Sequence, residues 1–184
     1  MLLNWLNAHL DLLSVVWLFP VVFMFHDFEE ILTAEKWTKR NQTYVLEKIS
    51  PRMRKFLSSS FQMTTLQFAT DVFWVFCGVT LATVLAAVFS AYYLFLPFVV
   101  FFGLHAFTHL GQALYLRRYT PGVVTSVLIV FPYALYTVYR LWSGQTISVA
   151  NLVWSILSLC LIVPLLFFLL VRGRDKIRKK SMNE

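Results

Sequence analysis

Residues 12–34 read LLSVVWLFPVVFMFHDFEEILTA. At about 1.5 Å of rise per residue, this stretch is long enough to cross ~30 Å of hydrocarbon as one α-helix. Its only charged residues, Asp27, Glu29 and Glu30, crowd into one turn beside His26. A carboxylate held inside a bilayer costs roughly 2.5 to 3.5 kcal/mol on insertion scales, so residues of this kind mark function. The stretch therefore reads as a transmembrane helix carrying a functional group toward its end.

The rest of the chain agrees with a membrane solvent. Of 184 residues, 59% are hydrophobic and 14% charged, against roughly 25% charged in a soluble domain. Eighteen Phe, eight Tyr and six Trp suit lipid contact and interfacial belts. Four further apolar runs follow, at about 56–90, 92–116, 123–142 and 149–171, with a basic tail over 172–184. The expected fold is an all-α bundle of about five transmembrane helices, forming a single integral membrane domain. The second run exceeds the bilayer thickness, so its start is expected to project from the surface. Ser50-Pro51 and Thr120-Pro121 each place a capping hydroxyl before a proline at an expected first helical position. Ser143-Gly144 separates the last two runs.

Charge orients the bundle. The net charge is +7, and seven of the sixteen basic residues lie between Lys36 and Lys55, with six more between Arg172 and Lys180. Clusters flanking apolar runs are topology signals and contacts for anionic lipid; they argue against a nucleic-acid partner. Loops after odd-numbered spans are basic and those after even-numbered spans nearly neutral. The expected topology is N-terminus outside and C-terminus cytoplasmic, in a bacterial plasma membrane. The Asn41-Gln42-Thr43 sequon then lies in the cytoplasm and carries no glycan. Met1 to Asp11 lacks a basic n-region and is expected to stay in the mature chain. Cys77 and Cys160 fall within apolar runs and read as buried free thiols.

Three spans carry polar groups that lipid does not explain. Span one has His26, Glu29 and Glu30 at i, i+3 and i+4, sharing one helix face, while Asp27 and Phe28 turn away. Span two has Gln67 and Asp71, and span three has His105, His109 and Gln112 at one-turn spacing. Depth is the stronger test. His26 lies roughly 12 Å from the end of span one, His109 about 12 Å and His105 about 18 Å from Arg117, and Asp71 around 20 Å beyond Phe56. Antiparallel neighbours thus bring their polar groups to a similar level.

Two or three imidazoles with one or two carboxylates match catalytic Zn²⁺ or non-haem iron. Helix bundles build such sites from inward-facing Glu and His at i, i+3 or i+4. The expected metal ligands are His26, Glu30, His105 and His109, with Asp71 as ligand or orienter and Glu29 as general base. Zinc is the preferred divalent metal and iron the alternative. A proton or ion pathway, or packing through interhelical hydrogen bonds, are the competing readings of the same residues. His9 reads as a surface residue. Pro132 is expected to kink span four beside Tyr133 and Tyr136, which read as an interfacial aromatic face.

His26-Asp27-Phe28-Glu29-Glu30 resembles the motif of the HXXEE-domain membrane proteins. Their other marks, a later histidine and a Tyr-x-Pro-Gly element, are similar to His105 or His109 and to Tyr119-Thr120-Pro121-Gly122. The resemblance spans roughly residues 15–140 and implies site positions, not an activity. A looser likeness to intramembrane CAAX-type proteases rests on Glu29-Glu30, Phe101 to His105 and His105 to His109. The chain departs from that pattern at Ala34, where an arginine belongs, and at His109, where asparagine belongs.

The function expected from these residues is a membrane metal-dependent hydrolase opening toward the cytoplasm. Its substrate would be a lipid or amphiphile, with surrounding membrane lipids as partners. The metal would lower the pKa of bound water toward ~7 and polarise a carbonyl or phosphoryl group. A non-haem iron oxidase or a proton-coupled transporter are the alternatives.

Overall fold

The computed structural model describes the chain path over residues 2–57 and 60–181, and side chains there except at 2, 55–57, 60, 166–167 and 169–181. The basic tail expected beyond Val171 lies outside the described side chains. Among the described residues the regular structure is all helical, with no strand. The helices are α1 (Leu2–His9), α2 (Leu12–Lys48), α3 (Pro51–Leu57), α4 (Thr65–Phe89) and α5 (Tyr92–Leu116). They are followed by α6 (Val123–Ser143) and α7 (Val149–Ser181). Four of them, α2, α4, α5 and α6, are long and apolar enough to cross a membrane, and α7 contributes a shorter apolar stretch, Val149–Leu165.

The helix α2 begins where Asp11 caps it, accepting a hydrogen bond of 2.6 Å from the Ser14 amide. It does not stop at residue 34, as its hydropathy predicts. It continues to Lys48 because nothing between Glu35 and Lys48 breaks a helix and because the extension has work to do at the end of α5. The last carbonyls of a helix lack intrahelical donors. Tyr44 donates to the Leu116 carbonyl at 2.9 Å, and Trp37 donates to the Tyr119 carbonyl at 2.6 Å. Arg118 stacks over the Tyr44 ring at 3.7 Å. The extension thereby fixes the C-terminus of α5 and the chain that leaves it.

The second expected span, 56–90, is corrected at its start. Thr64 and Gln67 form a reciprocal capping box that starts α4 at Thr65. Gln67 is therefore a helix cap, and Asp71 sits only six residues inside α4, about 9 Å deep. Glu35, well inside α2, accepts from both the amide and the hydroxyl of Thr65, tying the start of α4 to the side of α2.

Between α5 and α6 the expected Thr120-Pro121 helix start is also corrected. Val123 donates to the Thr120 carbonyl at 3.1 Å, and Gly122 has φ +79° and ψ −9°. That is a type II turn with proline at its second position and glycine at its third. The helix begins after it, at Val123. Pro132 follows a π-helical turn, Ser126–Val130, which absorbs the amide that proline lacks.

The core is continuous through the bundle. Val15, Val16, Phe19, Phe95, Leu96 and Val99 are fully buried where α2 meets α5. Tyr133 on α6 stacks on Phe19 and donates to the Val15 carbonyl at 2.9 Å, so it is an interhelical anchor rather than an interfacial residue. The outward faces are apolar, as lipid requires: Phe28, Leu32, Trp74, Leu81 and Trp154 are all exposed. Cys77 and Cys160 are exposed on these faces, which corrects the expectation of buried thiols.

Candidate metal centre

Helices α2 and α5 each present two of the expected ligands one turn apart, His26 with Glu30 and His105 with His109. Their ligating atoms all lie within 4.8 Å of one another. The closest approaches are 2.8 Å between the Nε2 atoms of His105 and His109, 3.3 Å from His109 Nε2 to Glu30 Oε1, and 4.0 Å from His26 Nε2 to Glu30 Oε2. The three rings stand nearly edge to face, with centroids 4.4 to 5.5 Å apart, so their Nε2 edges converge.

The opposite ring edges decide the tautomers. His109 Nδ1 lies 2.9 Å from the Pro121 carbonyl oxygen. A carbonyl only accepts, so the proton sits on Nδ1 and a neutral ring offers its Nε2 lone pair to the cluster. His26 Nδ1 lies 2.9 Å from Thr125 Oγ1, and Thr125 gives its own hydroxyl proton to Glu29 Oε2 at 2.6 Å. Thr125 oxygen must therefore accept from His26, which again leaves Nε2 as a lone pair. That Nε2 is buried and has no hydrogen-bond partner among the described residues. A buried lone pair without a donor is costly in apolar surroundings; a cation between the four residues supplies what it lacks.

The fit to an ion is close. Four ligands at about 2.0 to 2.2 Å in a tetrahedron stand roughly 3.3 to 3.6 Å apart. The pair at 2.8 Å must open by about 0.5 to 0.8 Å, and a separation at the 4.8 Å limit must close by about 1.2 to 1.5 Å. Three imidazole nitrogens and one carboxylate oxygen suit Zn²⁺ or non-haem iron.

The chain from Tyr119 to Thr125 wraps the site. Glu29 turns to this segment, accepting from the Thr125 amide at 2.8 Å, the Thr125 hydroxyl and the Tyr119 hydroxyl at 2.8 Å. The expectation for Glu29 was a general base; in the structure both its oxygens already accept hydrogen bonds. Its geometry is that of an orienter acting through Thr125 on His26, the carboxylate-to-imidazole support that metal-bound histidines usually have. Gly122 touches the ligands themselves. A Cβ there would lie 2.8 Å from His109 Cε1 and 3.0 Å from Glu30 Cγ, in a backbone conformation that non-glycine residues resist. The Tyr-x-Pro-Gly element is thus explained atom by atom: Tyr119 holds Glu29, Pro121 orients His109, and Gly122 leaves room for both helices.

Asp71 is not among the four converging residues. It lies on α4, buried, lining a cavity of about 210 Å³ that also reaches His26, Glu30 and His105. Asp27 lines the same cavity and is only 7% exposed, although helical facing turned it outward. The reason is that α2 is enclosed by α4 on one side and by α5 and α6 on the other, so its buried sector is wider than one stripe. Thr125 and Asp27 are the residues that sequence reasoning missed. For Thr125 the only signal was its position three residues after the Pro-Gly pair. His9 stacks on Trp5 at the exposed end of α1, away from the site.

A family model described as "Protein of unknown function with HXXEE motif" matches residues 17–137. No curated protein and no solved structure is matched by the chain. The matched region contains every residue of the cluster and the turn that supports it. With the HXXEE motif supplying His26 and Glu30 to the four-residue cluster, and the match covering most of the chain, the chain belongs to the HXXEE family, as a membrane helical protein.

Proposed function

We propose that this protein is a membrane metal-dependent enzyme of hydrolase type, acting on a lipid or amphiphile whose head reaches the His26–Glu30–His105–His109 centre. The observation that carries the reading is the proton arrangement. Two histidines have their Nδ1 protons committed to Pro121 and Thr125, so their Nε2 lone pairs point at one place. A structural hydrogen-bonding cluster has no reason to leave His26 Nε2 unpaired in the protein interior.

A bound divalent metal, zinc in preference to iron, supplies Lewis acidity and a water of lowered pKa. The remaining roles belong to the chain. Glu29 and Thr125 hold the His26 ring, and Pro121 holds that of His109. Asp71, at the cavity wall, is the group placed to take a proton from an attacking water and return it to a leaving group. Phe19, Phe23 and Phe102 keep bulk water from the apolar end of the cavity. The positive-inside distribution of lysine and arginine puts this end of the bundle toward the cytoplasm.

The test is metal content and metal-dependent hydrolysis. Protein purified in mild detergent is stripped with chelator, reloaded with Zn²⁺ or Fe²⁺, and analysed for bound metal. It is then assayed for release of fatty acid from long-chain acyl esters. About one ion per chain, lost in His26→Ala and His109→Ala together with the activity, is the expected result. Wild-type protein that binds no ion in the micromolar range would overturn the proposal. Bound iron with zinc excluded would move the chemistry to oxidation.

A further inference from the structure

The cavity beside the centre has a chemical polarity of its own. Asp27, Glu30 and Asp71 all line it, from two different helices, and among the described residues no lysine or arginine does. Its far end is apolar, walled by Phe19, Phe23, Val75 and Phe98. Asp27 is 7% exposed, and its Oδ2 is buried with no hydrogen-bond donor in reach among the described residues. An acceptor atom in that position is a binding determinant waiting for a donor, since leaving it unpaired is costlier than any neutral arrangement.

We infer that the ligand of this cavity is a long-chain amphiphile with a hydrogen-bond-donating head, an amine in preference to an alcohol, and not a phosphate ester. The tail occupies the phenylalanine-lined end, and the head lies between Asp27 and Asp71 beside the metal ligands. An ammonium group supplies up to three donors for the acceptor oxygens that Asp27 and Asp71 bring to this end of the cavity. A phosphate brings acceptor oxygens to a wall whose unpaired atom, Asp27 Oδ2, is itself an acceptor, with no lysine or arginine side chain among the described residues to receive it. The described lysine and arginine side chains lie elsewhere, beyond residue 35, and all but the half-buried Arg140 are exposed. This inference names the substrate class of the proposed enzyme and rests on the metal reading for its chemistry, although the cavity can be probed separately.

The experiment is native mass spectrometry of the detergent-solubilised protein, which counts bound metal and bound probe in one spectrum. Dodecylamine, dodecanol and dodecyl phosphate are titrated against wild type, Asp27→Asn, Asp71→Asn and the cavity-filling Val75→Trp. One dodecylamine per chain is expected, about tenfold or more tighter than dodecyl phosphate, as one charge-assisted hydrogen bond implies. Asp27→Asn should lose most of that preference, and Val75→Trp should lose binding of both dodecylamine and dodecanol. Equal or tighter binding of dodecyl phosphate overturns the inference. So does dodecylamine binding that is unchanged in both Asp27→Asn and Val75→Trp, which marks it as detergent-like adsorption. Selective amine binding without metal leaves this inference standing and removes the metal reading; metal binding without selectivity does the reverse.

Discussion

Replacing Gly122 by alanine adds one methyl group and should dismantle the centre without unfolding the protein. The new Cβ would meet His109 Cε1 at 2.8 Å, His109 Nδ1 at 3.0 Å and Glu30 Cγ at 3.0 Å. Ordinary carbon contacts begin at about 3.5 Å, so the His109 ring must retreat by roughly 0.7 Å. Metal–ligand distances tolerate about 0.2 Å, so the retreat breaks one ligand bond and pulls the Pro121 hydrogen bond with it. The backbone adds its own penalty, since a non-glycine residue at φ +79° costs on the order of 1 to 3 kcal/mol. Loss of a supporting contact to a metal ligand typically lowers affinity 10- to 100-fold, and displacement of a ligand should reach the upper end or pass it. Gly111→Ala is the matched control, because nothing lies within 4 Å of a Cβ at that position. Zn²⁺ affinity by competition with a chromophoric chelator, alongside thermal unfolding, measures both effects. The reasoning is refuted if Gly122→Ala binds zinc like the Gly111→Ala control.

Other perturbations separate the parts of the site. Thr125→Val keeps the shape but removes the hydroxyl between His26 and Glu29; zinc affinity should fall about 10- to 100-fold, and an unchanged affinity would remove Glu29 from the support of the metal. Glu29→Gln should weaken zinc binding through the same link and not abolish it, whereas Glu30→Gln, which removes a ligand charge, should come close to abolishing it. At the other end of α2, hydrogen bonds from Ser14 hold the Asp11 carboxyl below its ordinary value. Its capping contribution is therefore full above about pH 4, the unfolded value, and is lost as pH falls through the lowered folded value. Asp11→Ala should flatten the acid limb of stability in a pH series of melting curves. Gly103→Leu should destabilise the bundle, since even a Cβ there would meet the Ala134 Cβ at 3.1 Å where α5 and α6 cross.

The membrane helices were legible in the sequence because bilayer thickness converts directly into apolar run length. The pairing of His26 with Glu30 and of His105 with His109 was legible because helical periodicity alone puts residues four apart on one face. Both are local properties, and the depth match between α2 and α5 follows from counting residues. Beyond that range sequence reasoning ran out. The second run looked like one helix until the Thr64–Gln67 capping box divided it, a matter of two side chains reaching each other's backbone.

The roles within the cluster were decided only when distant segments met. Glu29 and Glu30 are adjacent, equally acidic and, on a helical wheel, nearly equivalent; which one faces the imidazoles depends on where the Tyr119–Thr125 segment lies, ninety residues away in the chain. Asp27 turned from an outward residue into a cavity wall because α4 packs against that side of α2. Composition and periodicity by themselves determined a membrane bundle with two histidine-bearing faces, since each helix must satisfy its own backbone in lipid whatever its neighbours do. Which atoms of those faces hold protons, which accept them and which are left for a ligand was settled by tertiary packing, because a hydrogen bond exists only at contact distance and sequence spacing says nothing of contacts between helices.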